Sequence, residues 1–488
     1  MMRDLAKVLA KYDVKVAQIE VQELRLDSRE VCRGDCFIAI SGHQLDGHRF
    51  IASAIDNGAV CILVEDDSEI VDSAVEVIKV PNLRSKLADI AADFYQQPSR
   101  QLNVIGVTGT NGKSTTTAMI ANLATLCGQD SAVIGTLGYG SPKALTPLNN
   151  TTPSAVDLQR IFSSLLTQYQ LVAMEVSSHG IVQGRTEQVD FDIAVFTNLS
   201  RDHLDYHGDM QSYANAKKRL FTECGAKHKV LNIDDDYAQQ WLTELSPSEC
   251  VLYGKQPEQG QFERYVFFTN VTYHQNGISF ELNTSWGVAT ISTQLFGLFN
   301  LYNLCAALAC MLVQGFSLSQ LQVAVNKIEP VDGRMQAFKQ NGKPTCIVDY
   351  AHTPDALALA LQALQQHVPG KVTCVFGCGG DRDKGKRPLM AKAAEQFSDK
   401  IVITSDNPRS EDPLTIINDI KAGLSNPEYA VVQPDRALAI QLAIEQADAD
   451  NVILIAGKGH EDYQIIGNKK LNFCDRSLVR AILEGESA

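Results

Sequence analysis

The segment that most restricts the fold is an apolar run, Leu102 to Val107, that enters Thr108-Gly109-Thr110-Asn111-Gly112-Lys113-Ser114-Thr115 and leaves as a helical pattern. Met119, Ile120, Leu123 and Leu126 are spaced for one helix, and Gly128 is a stop signal. A strand that turns through glycines directly into a helix aims backbone N–H groups and the positive helix end at one point, which suits a polyphosphate. The N–H groups of residues 110 to 113 are expected to hold its oxygens. Gly109 and Gly112 permit close backbone approach, Lys113 is expected to reach the β/γ oxygens, and the Ser114 hydroxyl to ligate Mg²⁺. A glycine turn without a ligand has no need of Lys followed by a hydroxyl at a helix start. The strict phosphate-loop spacing asks for Gly where Val107 stands, and that departure needs a structural reason.

The surrounding pattern is α/β. Short Val- and Ile-rich runs at 102–107, 170–176 and 192–197 alternate with helical segments, as in a parallel sheet wrapped by helices. Runs at 345–349, 371–376, 400–404 and 451–455 repeat that logic, each ending in a polar loop: DYAHTPD, GCGGDRDKGKR, SDNPRSED and AGKGHED. Ligands of open parallel sheets bind beyond the carboxyl ends of the strands, so these four loops are expected to share one crevice. A chain of 488 residues predicts about three domains. Turn-rich punctuation at Gln96-Gln97-Pro98-Ser99-Arg100 and from Asp332-Gly333-Arg334 to Pro344 sets them at 1–98, 99–332 and 333–488.

Net charge of −14 argues against a general grip on nucleic acid or anionic lipid, so an anionic substrate needs locally placed cations. No run is long and apolar enough for a transmembrane helix, and the N-terminus reads as a short amphipathic helix without signal-peptide features. A cytoplasmic protein is expected. Twelve Cys lie scattered with no CxxC, and the pairs Cys32/Cys36 and Cys374/Cys378 read as reduced, buried thiols.

The phosphate-loop variant VTGTNGKST resembles the Mur ligase family, ATP-dependent enzymes that extend the peptide of a cell-wall precursor. MEVSSHG (174–180), TNLSRDHLDYHG (197–208), GLFNLYN (297–303), DGRMQ (332–336), DYAHTPDAL (349–357), GDRDKGKRPLM (380–390), DNPR (406–409) and AGKGHED (456–462) fit that family in order. The resemblance implies a uridine-nucleotide-binding α/β domain, a central phosphate-loop ATPase domain with a mostly parallel sheet, and a C-terminal Rossmann-like, doubly wound domain. It implies ATP as substrate and Mg²⁺ as cofactor, with Gly109, Thr110, Asn111, Gly112, Lys113, Ser114 and Thr115 on the phosphates. Glu175 and His203 stand like the family's Mg²⁺ ligands beside Ser114. Lys217, in a segment with a helical pattern, stands where the family carries a carbamylated lysine, with Lys218 as the competing register. Asn303, at a helix start, Arg334 and His352 resemble residues that touch adenine, ribose or phosphate; without the resemblance, Asn303 reads equally as a helix cap.

The implied reaction joins meso-diaminopimelate to UDP-N-acetylmuramoyl-L-alanyl-D-glutamate through an acyl phosphate. Leu26, Ser28, His43, Gln44 and Leu45 match uridine-nucleotide positions, although Asp27 and Asp35 nearby also read as simple turn and cap residues. Asn150, Thr151, Thr152, Ser177, Gln183 and Arg185 supply donors for the muramoyl-dipeptide part. Arg382, Asp406, Asn407, Pro408, Arg409, Gly457 and Glu461 are the implied diaminopimelate residues. Arg409 is suited to a bidentate carboxylate pair and Glu461 to an ammonium; the plain alternative for 406–409 is a turn. The competing readings are the same reaction with L-lysine, the folylpolyglutamate synthase branch, and a nucleotide-switched binding protein. A monomer is the favoured assembly.

Overall fold

The computed structural model describes residues 2–41, 46–65 and 73–485. They fall into two compact units: Met1–Gly254 with Gln259–Tyr265 and Ala306–Phe316, and Lys255–Glu258 with Val266–Cys305 and Ser317–Ala488.

The first unit opens with helix Leu5–Leu9, which buries Leu5 and Leu9 as the amphipathic pattern requires. A parallel sheet follows, in the spatial order Leu24–Arg25, Cys36–Ala39, Cys61–Glu65, Glu76–Val80. Helix Leu83–Phe94 packs Leu83, Ile90 and Phe94 against it. Gln96 and Gln97 then take left-handed backbone and the 3-10 turn Pro98–Gln101 leads into the next strand, so the chain is punctuated where the sequence marks it. Asp27 caps a 3-10 turn through the Arg29 N–H and Asp35 accepts the Cys32 N–H at 3.0 Å, so both serve as cap and turn residues.

Strand Asn103–Thr108 lies between Leu171–Glu175 and Ile193–Phe196, all three parallel. Ser131–Gly135 and His228–Asn232 extend the sheet on either side, also parallel. Buried on both faces, these strands are near-continuous apolar runs. Val107 is fully buried inside its strand, paired with Glu175 on one side and Val195 on the other. The chain is still extended at 107 and has no need of glycine there. The turn starts at Gly109, where φ is +150° and a Cβ would collide with Thr197 Oγ1.

In the second unit, a doubly wound sheet runs Gln336–Phe338, Thr345–Asp349, Val452–Ala456, Val372–Phe376, Lys400–Ile403, Ala430–Val432, parallel except for the first. Helices Pro354–His367, Lys386–Phe397 and Pro413–Lys421 cover one face and Arg436–Glu445 and Asp475–Glu484 the other, each with its own apolar cluster. The unit also holds an antiparallel meander, Tyr265–His274, Gly277–Thr284 and Gly287–Thr293, which the α/β reading did not anticipate. Its alternating burial and its Asn-Gly at 276–277 are hairpin signals. All twelve Cys are free, but Cys32 is exposed, which corrects the expectation of a buried thiol there: it follows a 3-10 turn at the surface.

Candidate active site

The parallel register puts Glu175 and Thr108 at the carboxyl ends of adjacent strands, and the His203 loop leaves the strand on the other side of the phosphate loop. Glu175 and His203 therefore flank the Gly-rich turn by topology alone. The buried Glu175 carboxylate accepts from Thr136 N at 2.8 Å and Thr136 Oγ1 at 3.2 Å. A Cβ at Gly135 would strike its Oε1, so that glycine clears room for the carboxylate.

Helix Lys113–Leu126 starts directly after Gly112, at φ +86°. The Thr110 N–H donates to Asn198 O at 2.8 Å and the Asn111 N–H to Asn198 Oδ1 at 3.0 Å, so both are partnered within the protein. The N–H groups of the helix's first turn, which have no intrahelical acceptors, follow directly. Thr197 Oγ1 donates to Asn111 O at 2.7 Å and Asn198 Nδ2 to the same oxygen at 3.1 Å. Thr197 and Asn198 thus brace the loop from 86 residues or more away in sequence. The motif TNLSRDH was visible, but its role in shaping the loop was not.

Lys113 Nζ donates to Gly109 O at 2.9 Å and Thr110 O at 2.8 Å. Lys217, on helix Met210–Thr222, donates to the same Gly109 O at 2.8 Å and lies over the Tyr213 ring. Lys217 is buried whereas Lys218 pairs with Glu244 at 2.6 Å, so the helix turns Lys217 to the loop. Burial, and then the neighbouring Lys113, push the Lys217 amine well below its ordinary range, towards the neutral form. His203 caps helix Leu204–His207 with φ +53° and packs edge-on against His179. Burial chiefly, helped by Lys113 and Lys217 and opposed by Asp202, lowers its pKa, favouring the neutral imidazole that can ligate a metal. Among the described residues no group of three or more His, Cys, Asp or Glu is arranged around a metal position. The hydroxyl, carboxylate and imidazole of Ser114, Glu175 and His203 suit a Mg²⁺ that keeps several waters.

Next to Glu175, Thr152 Oγ1 donates to its carbonyl at 3.0 Å and accepts from Ser177 N at 2.9 Å. The half-buried Arg185 donates to Thr152 O at 2.6 Å and to Gln183 Oε1. Thr151 meets Thr136 through their hydroxyls at 3.0 Å. Thr151, Thr152, Ser177, Gln183 and Arg185 are thus brought together, with a guanidinium whose partners are neutral. Asn150 lies just before this group in an irregular segment. Leu26 and buried Ser28 follow the first strand of the N-terminal sheet; His43, Gln44 and Leu45 lie outside the described residues.

In the second unit, the loops after the strands do converge. Arg409 donates from NH1 to Gly380 O at 2.8 Å and to Asn407 O at 3.5 Å. Asn407 Nδ2 donates to Glu461 Oε2 at 2.9 Å. The fully buried Lys458 donates to Asn407 Oδ1 at 3.2 Å and to Glu461 Oε2 at 2.9 Å, so it orients two of the expected residues without having been singled out itself. Asp406 is buried, which raises its pKa, while Arg436 and Lys458 oppose the rise. A Cβ at Gly457 would press on Asp406 Oδ2. Pro408 O lies where a Cβ at Gly380 would be, and Arg382 is exposed at the rim.

Arg334 stacks over the Tyr350 ring at 4.6 Å, and its Nε is buried with no partner among the described residues. His352 Nδ1 meets Tyr350 O at 2.8 Å. Asn303 is buried in the second turn of helix Leu298–Val313, its Nδ2 on Asn300 Oδ1 at 3.3 Å. It is neither at the helix start nor a cap, because the helix begins sooner after Gly297 than the motif suggested.

A phosphate loop set between a carboxylate and an imidazole at the edge of a parallel sheet defines an enzyme that handles a nucleoside polyphosphate. The models described as "Mur ligase family, catalytic domain", "Mur ligase middle domain" and "Mur ligase, glutamate ligase domain" match residues 20–95, 107–311 and 333–459. The UDP-N-acetylmuramoyl-L-alanyl-D-glutamate–2,6-diaminopimelate ligase of Vibrio vulnificus (strain YJ016) is 44% identical over 476 residues, 96% of each chain. A solved structure of a ligase of the same name is 36% identical, covers 99% of each chain and superposes with a TM-score of 0.71. The MurF ligase of Thermotoga maritima in complex with ADP shares the fold at 19% identity, with 96% of this chain and 98% of that one covered and a TM-score of 0.67. The chain belongs to the Mur ligase family of ATP-dependent amide ligases. Among its described residues no helix is long and apolar enough to cross a membrane.

Proposed function

We propose that this chain adds meso-diaminopimelate to UDP-N-acetylmuramoyl-L-alanyl-D-glutamate with conversion of ATP to ADP and phosphate. The observation that carries the reading is the pairing, in one crevice, of Arg409 with Glu461 through Asn407. Among the described residues Arg409 rests on carbonyl oxygens, and it gains a charged partner when a carboxylate arrives. Glu461 offers the opposite charge for the ammonium of the same amino-acid head. L-lysine has no distal carboxylate to use Arg409. Kinship with the 44% identical diaminopimelate ligase supports the same choice. The residues assigned here lie in segments 1–98, 99–332 and 333–488, and the chain is read as a cytoplasmic monomer.

The D-glutamyl carboxylate of the nucleotide substrate attacks the γ-phosphorus of ATP, and the bond to the β-bridging oxygen breaks to release ADP. The amine of diaminopimelate attacks the resulting acyl phosphate, the tetrahedral intermediate expels phosphate, and an amide with one fewer amine proton remains. Lys113 neutralises charge on the transferring phosphoryl group. Arg185, with Thr152, Ser177 and Gln183, orients the dipeptide; Asn150 and Thr151 line the same stretch, and Leu26 and Ser28 serve the uridine end. Asn303, Arg334 and His352 contribute to the nucleotide. Ser114, Glu175 and His203 would hold Mg²⁺, which supplies further neutralisation of the β/γ oxygens. Lys217 is read as carbamylated: its buried neutral amine adds carbon dioxide, losing a proton and becoming an anion that favours a nearby metal.

Product analysis by mass spectrometry tests the proposal. With ATP, the nucleotide substrate and meso-diaminopimelate, the tripeptide nucleotide should form in step with ADP. ATP binding without amide product would point instead to a nucleotide-switched binding protein and would contradict the reading.

A further inference from the structure

We propose that Glu411 is a positioning residue that fixes Arg409, and with it Arg382, for the distal carboxylate of the incoming diamino acid; the inference rests on the crevice reading above. Two turns meet here, one at 379–382 after strand Val372–Phe376 and one at 407–411 after Lys400–Ile403. Glu411 joins them. Its Oε1 accepts the Asp381 N–H at 2.6 Å and Arg387 NH2 at 2.8 Å, and its Oε2 accepts Arg387 NH1 at 3.0 Å.

Arg387 is the anchor. It has no solvent exposure, and it also pairs with Asp419 at 2.8 Å, so both its carboxylate partners come from the chain following the second turn. Guanidinium-to-carboxylate bonds of this forked kind resist rotation. Arg387 in turn holds the Glu411 carboxyl down at about 2, so the tie stays ionised at working pH.

The turn held in this way is the seat of Arg409. Asp381, at φ +54°, has its N–H taken by Glu411 and its carboxylate taken by Ser410 N at 3.1 Å and Oγ at 2.7 Å. The preceding residue, Gly380, donates its N–H to Asn407 O at 2.9 Å and presents its carbonyl to Arg409 NH1 at 2.8 Å. Arg409 itself has left-handed backbone, φ +52°, and its N–H goes to Ile465 O at 3.0 Å. A non-glycine residue keeps that conformation only where its surroundings enforce it. Release of Glu411 frees Asp381, then Gly380 O, and the Arg409 guanidinium loses its fixed direction. The following residue, Arg382, loses its backbone reference in the same step.

The test is steady-state kinetics on the full-length enzyme with Glu411→Gln, Asp381→Asn and Arg409→Ala, using meso-diaminopimelate and L-lysine as competing amines. Glu411→Gln should raise KM for meso-diaminopimelate about tenfold, leave KM for ATP and the uridine nucleotide within about twofold, and lower the diaminopimelate-to-lysine preference by a similar factor. Asp381→Asn, which leaves the Arg387 pair and the Asp381 N–H bond intact and loosens the same turn at Ser410, should shift the same two quantities about threefold. Glu411→Asp, which keeps the charge beside Arg387 but draws it back from the Asp381 N–H, should lower the preference as Glu411→Gln does and decides the matter if Glu411→Gln does not fold. Unchanged preference in Glu411→Gln and Asp381→Asn, with preference lost in Arg409→Ala, would overturn the role of Glu411 alone. Preference intact in Arg409→Ala would overturn the crevice reading and this inference with it.

Discussion

The phosphate loop and the C-terminal crevice handle charge in opposite ways. At the loop, Lys113 and Lys217 both donate to Gly109 O, yet burial holds Lys217 towards its neutral form, so Lys113 is the cation that faces a polyphosphate. In the crevice, Arg387 is matched to Glu411 and Asp419, Arg436 to Asp475, and Lys458 to Glu461, while Arg409 rests on carbonyls, as Lys386 does on His352 O. The first region keeps a single lysine ammonium on neutral backbone oxygens for a highly charged ligand. The second satisfies most of its ions internally and holds the Arg409 guanidinium on neutral oxygens, ready for selection. Binding strength and discrimination are therefore built from different arrangements of the same residue types.

The sharpest way to break this comparison is at Lys113. Lys113→Ala should cut turnover about a thousandfold, the upper end for one removed transition-state donor, measured as ADP release under saturating substrates; retained turnover would remove the phosphate assignment. In the crevice the corresponding blow falls on stability. Arg436→Met leaves Asp475, which has no exposure, without its cation, and should cost about 3 kcal/mol in urea unfolding. Lys217→Ala should lower turnover about a hundredfold, and a carbamate carbon resonance seen in ¹³C-bicarbonate should vanish with it; the same resonance in the variant would transfer the modification elsewhere. The smallest effect is expected at the loop's brace: Asn198→Ala removes one acceptor and one donor around Asn111 and should cost about 1 kcal/mol of stability, with a raised KM for ATP.

What could be read in the sequence follows the range of the interactions involved. The phosphate loop was legible because its strand, glycines, lysine and hydroxyl are contiguous, and each is demanded by local backbone geometry. The four converging C-terminal loops were legible because strand ends carry ligands in parallel sheets. Val107 looked anomalous only until strand pairing showed that the turn begins two residues later. The work of Asn198 on Thr110 and Asn111, of Glu411 on Asp381, and of Lys458 on Asn407 was not legible, because each crosses between separate strand ends and no local pattern registers it. Asn303 was misplaced because a motif marks identity, whereas the helix start depends on where Gly297 releases the chain. The meander over 265–293 carried an alternating pattern and an Asn-Gly turn, yet it sits within a chain otherwise dominated by helical and parallel-strand signals.

The central claim is that one guanidinium, held on carbonyl oxygens, selects the amino acid. Its most direct measurement is the ratio of kcat/KM for meso-diaminopimelate to that for L-lysine, in the unaltered protein and in Arg409→Lys. The account predicts a ratio above about a hundred that falls at least tenfold when the planar fork is replaced by a point charge. A ratio near one in the unaltered protein, or the same ratio in both, would contradict it.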